Sequence, residues 1–244
     1  MFNKIFCVSD DDYHQIKMNI SNDEIYKIGN PRYDRILNNL ENVEYKLDSS
    51  RQDEGNILIF ASMWDEDNKI IFEKFINSPL VNHFEKVIIV PHEVNDYYLN
   101  YYCSVLEDND FSFKKINQYQ NFNQFEEKYI IVNKVGFLSK LYAQSTITYV
   151  GGGFSKSGIH NIIEPAAASN PVIFGSNFLN SNKSDAEGLI DVSGGFSVDS
   201  YELFTEKINW LLDKNNYNNS SKNCKSFVTE NSGSTEKILK ELYE

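Results

Sequence analysis

Short apolar runs recur along the chain and alternate with amphipathic stretches. The run at residues 56–61 (NILIFA) is continuously apolar, which is typical of a strand buried on both faces of a parallel sheet. Runs of this kind predict strands at residues 2–8, 25–28, 56–61, 86–90, 111–116, 129–132, 146–150, 171–174 and 195–198. Strands that alternate with helices at this spacing predict an α/β fold with a doubly wound parallel sheet.

Helical periodicity fills the segments between these strands. Ser9 and Asp12 form a capping-box pattern at the start of a short helix, and Pro31 suits the start of another. Further helices are predicted at about residues 32–40, 65–76, 94–106, 137–143, 160–169, 183–189, 200–212 and 235–243. The asparagine-rich residues 213–221 are predicted to form a surface loop. Residues 41–55 are polar and aperiodic, which predicts a connecting loop before one α/β domain at 56–244.

Several predicted strands end in polar or glycine-containing loops. Ligands bind at the carboxyl ends of the strands in such sheets. These ends carry Ser62, Pro91 with His92, Val135 with Gly136, Gly151 to Gly153, and Gly175 with Ser176. Each loop alone is typical of a plain turn, but their coincidence on one edge favours a nucleotide or phosphate site.

The stretch TITYVGGGFSKSGIHNIIEP, residues 146–165, combines a strand, a glycine turn and a predicted helix start. Glycines allow close backbone approach to a ligand, and a helix start favours an anion. We expect Asn161 and Glu164 in the first helical turn. The alternative is a plain turn in which Asn161 caps the helix and Glu164 only complements its dipole. The candidate phosphate contacts are Ser62, Gly152, Gly153, Lys156, Gly158 and His160.

Composition excludes several classes of function. The net charge of −12 and a pI near 4.8 oppose a general nucleic-acid binder, which needs a basic face. The three widely spaced cysteines indicate reduced thiols in a cytosolic setting instead of a disulfide framework or zinc site. The apolar residues 5–8 are too few for a signal peptide or membrane span. The acidic run Asp10 to Asp12 is predicted to cap a helix, and we expect no metal and no other cofactor.

The segment YVGGGFSKSGIHNIIEPAAASNPVIFGSNF, with GNPRYDRI upstream and GGFSV downstream, carries a family resemblance. It resembles the carboxyl-terminal half of the lipid A Kdo (3-deoxy-D-manno-octulosonic acid) transferases, over roughly residues 1–200. These are two-domain GT-B glycosyltransferases that move Kdo from CMP-Kdo to a lipid A precursor in lipopolysaccharide biosynthesis. The resemblance implies a Rossmann-like CMP-Kdo-binding domain at 56–244, and the end of the amino-terminal domain with the interdomain segment at 1–40.

The resemblance also implies which residues contact CMP. They are Pro91, His92, Val135, Gly136, Phe137, Asn161, Ile162, Ile163 and Glu164. His92 stands where many members have an arginine, and Ile159 follows Gly158 where others have a second glycine. Lys156, His160 and the helix start after Gly158 are expected to supply positive potential to the departing phosphate. The catalytic base of the family lies in the amino-terminal domain, so no catalytic residue is expected here.

The expected partners follow from the same resemblance. They are CMP-Kdo, a lipid A precursor and an amino-terminal half, which a separate reading frame is one way to supply. Contact with a membrane surface is expected only through that half, at the cytoplasmic face of the inner membrane or in the cytoplasm. Two alternatives stay open: another GT-B enzyme, such as a UDP-sugar transferase or UDP-N-acetylglucosamine 2-epimerase, and a non-catalytic sugar-nucleotide-binding module.

Overall fold

The computed structural model describes residues 3–21, 24–44, 55–178 and 182–243. Its strands are β1 (Ile5–Cys7), β2 (Ile25–Lys27), β3 (Ile57–Met63), β4 (Lys86–Pro91), β5 (Phe113–Ile116), β6 (Tyr129–Val132), β7 (Ile147–Val150), β8 (Val172–Gly175) and β9 (Gly195–Val198). Its α-helices are α1 (Asp10–Asn19), α2 (Arg32–Glu41), α3 (Asp65–Asp67), α4 (Glu73–Ile76), α5 (Asp96–Glu107), α6 (Leu138–Leu141), α7 (Ile163–Ala167), α8 (Lys183–Asp191), α9 (Tyr201–Leu211), α10 (Lys214–Glu230) and α11 (Ser234–Tyr243). A π-helical turn at Asn68–Phe72 joins α3 to α4.

Seven parallel strands form the main sheet, in the order β5-β6-β4-β3-β7-β8-β9. From β3 the chain first builds the sheet towards β4, β6 and β5, and then returns to add β7, β8 and β9 on the other side. The strand order therefore reverses between β3 and β7, which is where doubly wound sheets open a ligand crevice. The predicted fold class is confirmed.

Side chains of β3 show how the sheet divides two cores. Ile57, Ile59 and Ala61 pack in one hydrophobic cluster, and Leu58 and Phe60 pack in the other. Successive strand residues point to opposite faces, so an unbroken apolar sequence fills both clusters at once. The first cluster is covered by α2, α6, α7, α8 and α10, and the second mainly by α4, α5 and α9.

The residues before the predicted boundary contribute to the main core. Helix α2 buries Tyr33 and Ile36 in the same cluster as β3 and α7, while β1 and β2 form a separate two-stranded parallel pair. Of the predicted boundary loop at 41–55, residues 45–54 lie outside the described ones. Helix α2, on the amino side of this loop, therefore packs with the 56–244 domain.

The predicted surface loop at 213–221 is wrong, because residues 214–230 form helix α10. Asp213 caps it by accepting hydrogen bonds from the amides of Asn215 and Asn216, both at 3.0 Å. The buried residues follow helical spacing and pack against the sheet domain: Tyr217, Ser220, Cys224 and Val228. This packing outweighs the low helix propensity of the asparagines on the exposed face.

Other element boundaries differ by a few residues. Strand β3 continues to Met63, and α5 begins at Asp96 because Asn95 caps it. The part of the chain that the structure describes contains no helix both long and apolar enough to cross a membrane.

Candidate functional site

The crevice at the strand reversal begins with a bulge in β3. Ser62 has a left-handed backbone, φ 55°, and the register with β4 shifts between Ala61 and Met63. The Ser62 carbonyl turns towards β7, where a Cβ on Gly151 would lie 2.4 Å from its oxygen. The candidate phosphate residue Ser62 therefore shapes the crevice wall with its backbone.

Asp67 anchors the two sides of the crevice to each other. This buried carboxylate accepts hydrogen bonds from the Tyr149 hydroxyl at 2.7 Å, the Gly152 amide at 2.8 Å and the Trp64 amide at 3.1 Å. Burial raises its pKa, and the three hydrogen bonds act against that rise. Because Asp67 takes the Gly152 amide, that amide is not free to bind a phosphate.

The loop between Gly152 and Gly158 satisfies three of its own amide donors. The amide of Ser155 donates to the Gly152 carbonyl, that of Gly158 to the Ser155 carbonyl, and that of Ser157 to the Ser155 hydroxyl. Lys156 is exposed at the tip of this loop. The amides of Gly152, Ser155, Ser157 and Gly158 are thus occupied within the protein, which narrows the backbone donors that this loop can offer to an anion.

The predicted helix at 160–169 is wrong in its extent, because α7 spans only Ile163–Ala167. Pro165 gives the reason: it has no amide hydrogen, so it is tolerated only in the first turn of a helix. The Asn161 side chain accepts a hydrogen bond from the Ile163 amide at 3.0 Å. Asn161 therefore lies before the helix as its cap, Glu164 lies in the first turn as expected, and the five-residue helix offers no dipole site for phosphate.

Arg32, Asn161 and Glu164 form a chain of polar contacts. The Arg32 guanidinium donates to Asn161 Oδ1 at 2.6 Å and lies 3.4 Å from Asp185. Asn161 Nδ2 donates to Glu164 Oε1 at 2.7 Å. Burial raises the Glu164 pKa, against the lowering effects of Asn161, Arg32 and Arg35. No described residue hydrogen-bonds to the second Glu164 oxygen, and Arg32 fixes the Asn161 amide that orients the carboxylate.

Trp64, His92 and His160 make an aromatic cluster at the ends of β3, β4 and the glycine loop. The rings of Trp64 and His92 stack with centroids 3.9 Å apart, and those of His92 and His160 are 4.4 Å apart. Burial and then His92 lower the pKa of His160 to about 4, and burial lowers the pKa of His92. The lowered pKa favours the neutral form of the His160 ring in the free protein, and the expected contribution of positive charge from His160 to the phosphate stays a prediction.

The 135–137 segment presents backbone on the same edge. Val135 is 70% exposed, and Phe137 is buried. Gly136 has a φ of +102°, and no atom lies within 4 Å of the position that a Cβ would take there. Ser139, one turn further on, lines a small cavity together with Glu164. The segment thus borders the Glu164 side of the crevice.

The remaining candidates have mainly structural surroundings. Pro91 ends β4 and is buried, and the side chains of Ile162 and Ile163 are fully buried, so these residues offer only backbone atoms to a ligand. Gly153 packs against the Gly175 backbone, where a Cβ would lie 2.5 Å from the Gly175 α-carbon.

Three residues of the site were not singled out from the sequence. Arg32 lies in the GNPRYDRI motif, and Trp64 and Asp67 directly follow a predicted strand end at the crevice, so position alone was an available signal. Their roles depend on contacts with residues 85 to 129 positions away.

The chain is similar in sequence to curated Kdo transferases. The chain is 27% identical over 250 residues to a 3-deoxy-D-manno-octulosonic acid transferase of Chlamydia trachomatis, a match that covers 97% of this chain and 55% of the relative. It is 26% identical to the corresponding enzyme of Rickettsia bellii, covering 76% of this chain and 43% of that protein. The chain is a relative of the Kdo transferases. It is also 27% identical to a bifunctional glycosyltransferase/methyltransferase of Fusobacterium nucleatum, covering 86% of this chain and 32% of the relative.

This Kdo transferase relative spans between 32% and 55% of the length of these proteins, and no family model matches it. In structure it matches the carboxyl-terminal CMP-Kdo binding domain of WaaA from Acinetobacter baumannii with a TM-score of 0.58 at 15% identity, covering 82% of this chain and 95% of that domain. An α-glucosyltransferase in complex with UDP and DNA matches with a TM-score of 0.55 at 12% identity, covering 99% of this chain and 65% of that one. The fold is that of the carboxyl-terminal domain of a GT-B glycosyltransferase.

Proposed function

We propose that this chain binds CMP-Kdo and serves as the donor-binding half of a glycosyltransferase that moves Kdo to a lipid A precursor. The observation that carries the proposal is the Arg32–Asn161–Glu164 chain at the sheet edge, in a relative of the Kdo transferases. In this proposal the Glu164 carboxylate accepts hydrogen bonds from the ribose hydroxyls of CMP. The backbone of residues 135–137 contacts the cytosine base.

The chemistry of transfer assigns a task to this half. An acceptor hydroxyl attacks the anomeric carbon of Kdo while CMP leaves, so negative charge grows on the departing phosphate. We infer that the five-residue helix α7 and a neutral His160 contribute little of the required positive potential. Arg35 and Lys156, both exposed near the crevice, are the side chains we assign to this role, while Arg32 is occupied with Asn161 and Asp185.

Acceptor binding and the catalytic base are tasks that we do not assign to this chain. We assign acceptor binding and the catalytic base to sequence that corresponds to the remaining length of the relatives. The purified chain should therefore bind CMP-Kdo without transferring Kdo. In the cell, we place this half at the cytoplasmic face of the inner membrane or in the cytoplasm. A non-catalytic binding module would remain inactive even when that remaining part is supplied in trans.

Nucleotide preference tests the proposal directly. Isothermal titration calorimetry of the purified chain should show CMP binding at least about tenfold tighter than UDP binding, which is a free-energy difference of about 1.4 kcal/mol. Equal affinity, or tighter binding of UDP, would favour a UDP-sugar enzyme of the same fold. UMP serves as the matched control, because it differs from CMP only in the base.

Metal independence is a second expected result. The acidic run at the start of α1 is engaged within the protein: Asp12 accepts from the Ser9 amide at 3.0 Å, and Asp10 pairs with Lys27 at 2.8 Å. CMP affinity should therefore be the same in EDTA and in magnesium. A loss of binding in EDTA that magnesium restores would show that a cation shares the phosphate site.

A further inference from the structure

Trp64 and His160 share a hydrogen bond whose direction is fixed by chemistry. Trp64 Nε1 lies 2.8 Å from His160 Nε2. The indole N–H is only a donor, so His160 Nε2 must be the acceptor and can carry no hydrogen. A neutral imidazole has one N–H, which here must reside on Nδ1. No described residue hydrogen-bonds to that Nδ1.

The surroundings hold this pair in one arrangement. The planes of the Trp64 and His160 rings lie 10° apart, so the two rings are nearly coplanar across the hydrogen bond, and His92 stacks against both. Asp67 fixes the backbone of Trp64 and the start of the glycine loop, against which His160 packs. The imidazole is therefore oriented from three sides, immediately before the Asn161–Glu164 segment.

We propose that Trp64 is a positioning residue that locks His160 in the Nδ1–H tautomer, so that His160 offers a neutral hydrogen-bond donor to an oxygen of the bound nucleotide. The ligand part of this proposal rests on the proposed function. The tautomer part concerns the free protein. Trp64 itself contacts the imidazole and not the nucleotide.

The free protein gives the first test. Long-range ¹H–¹⁵N spectra distinguish the two tautomers, and the chain has only four histidines, so His160 can be assigned by replacing it. The wild-type protein should show His160 with its hydrogen on Nδ1, and Trp64→Phe should shift it to a mixture of tautomers. A hydrogen on Nε2 in the wild-type protein would overturn the proposal.

Binding gives the second test. Trp64→Phe keeps an aromatic ring but loses the donor, so CMP affinity should fall about fivefold, or about 1 kcal/mol. The matched control is Trp210→Phe, which changes the chain's other tryptophan, 39% exposed on α9, and should change neither the tautomer nor CMP affinity. An unchanged tautomer and affinity in Trp64→Phe would contradict the proposal.

Two substitutions of His160 itself keep the proposal testable if Trp64→Phe does not fold. The amide nitrogen of asparagine can take the place of Nδ1, and that of glutamine the place of Nε2. His160→Asn should therefore retain CMP affinity better than His160→Gln, and the reverse order would overturn the proposal. If the wild-type protein shows the expected tautomer but binds no CMP, the proposed function fails while the role of Trp64 in fixing the tautomer stands.

Discussion

Glu164→Gln is expected to weaken CMP binding about tenfold or more while the melting temperature of the free protein stays nearly constant. The Asn161 side chain uses one Glu164 oxygen, at 2.7 Å, and glutamine can keep that contact. The lost interactions are the negative charge and the second acceptor for the ribose hydroxyls. Deleting a charged hydrogen-bond partner costs on the order of 1.5–3 kcal/mol, here in binding, whereas a helix-dipole role is worth only about 0.3–1 kcal/mol of stability.

A matched variant controls for the change in net charge. Glu187 on α8 is half-exposed and paired with Lys183 at 3.9 Å, so Glu187→Gln should leave CMP affinity unchanged. Titration calorimetry and thermal melts of both variants complete the comparison. If Glu164→Gln melted several degrees lower and bound CMP normally, Glu164 would belong to the fold instead of the site.

Gly153→Ala is expected to lower the free energy of unfolding by about 2–3 kcal/mol, which corresponds to a fall in melting temperature of roughly 5–10 °C for a chain of this size. The added Cβ would lie 2.5 Å from the Gly175 α-carbon and 2.6 Å from the Gly175 nitrogen. These atoms are backbone, so they cannot move away as a side chain does. The loop after β7 and the end of β8 would have to separate.

Gly233→Ala is the matched control for this prediction. Gly233 has a positive φ of +89° but nothing within 4 Å of an added Cβ, so only the conformational cost of about 1–2 kcal/mol applies. Chemical denaturation should therefore rank Gly153→Ala as the less stable variant. A Gly153→Ala protein as stable as the wild type would show that the two loops are not in contact.

The strands of the sheet could be predicted because buried parallel strands are continuously apolar. The predicted bounds 129–132 and 195–198 coincide with those of β6 and β9. Helix α10 could not be predicted from local propensity, because its asparagines disfavour a helix in isolation. Its stability comes from burying Tyr217, Cys224 and Val228 against elements distant in sequence.

The site was predictable in its place but not in its contacts. Strand ends of a doubly wound sheet meet on one edge, so the glycine loop, His92 and Glu164 could be placed together from the element order. The occupied Gly152 amide and the neutral, hydrogen-bonded His160 depend on Asp67 and Trp64, which a local pattern does not connect. The short α7 was signalled by Pro165 within the predicted helix.

A crystal structure of the chain with CMP tests the central claim most directly. The ribose hydroxyls should lie within hydrogen-bonding distance of Glu164, and the cytosine should lie beside the 135–137 backbone. The opposite edge of the sheet offers a comparison, because an open groove there is lined by residues that include Asp110, Phe111 and Lys128. CMP bound in that groove, or bound at the crevice without contact to Glu164, would contradict the account.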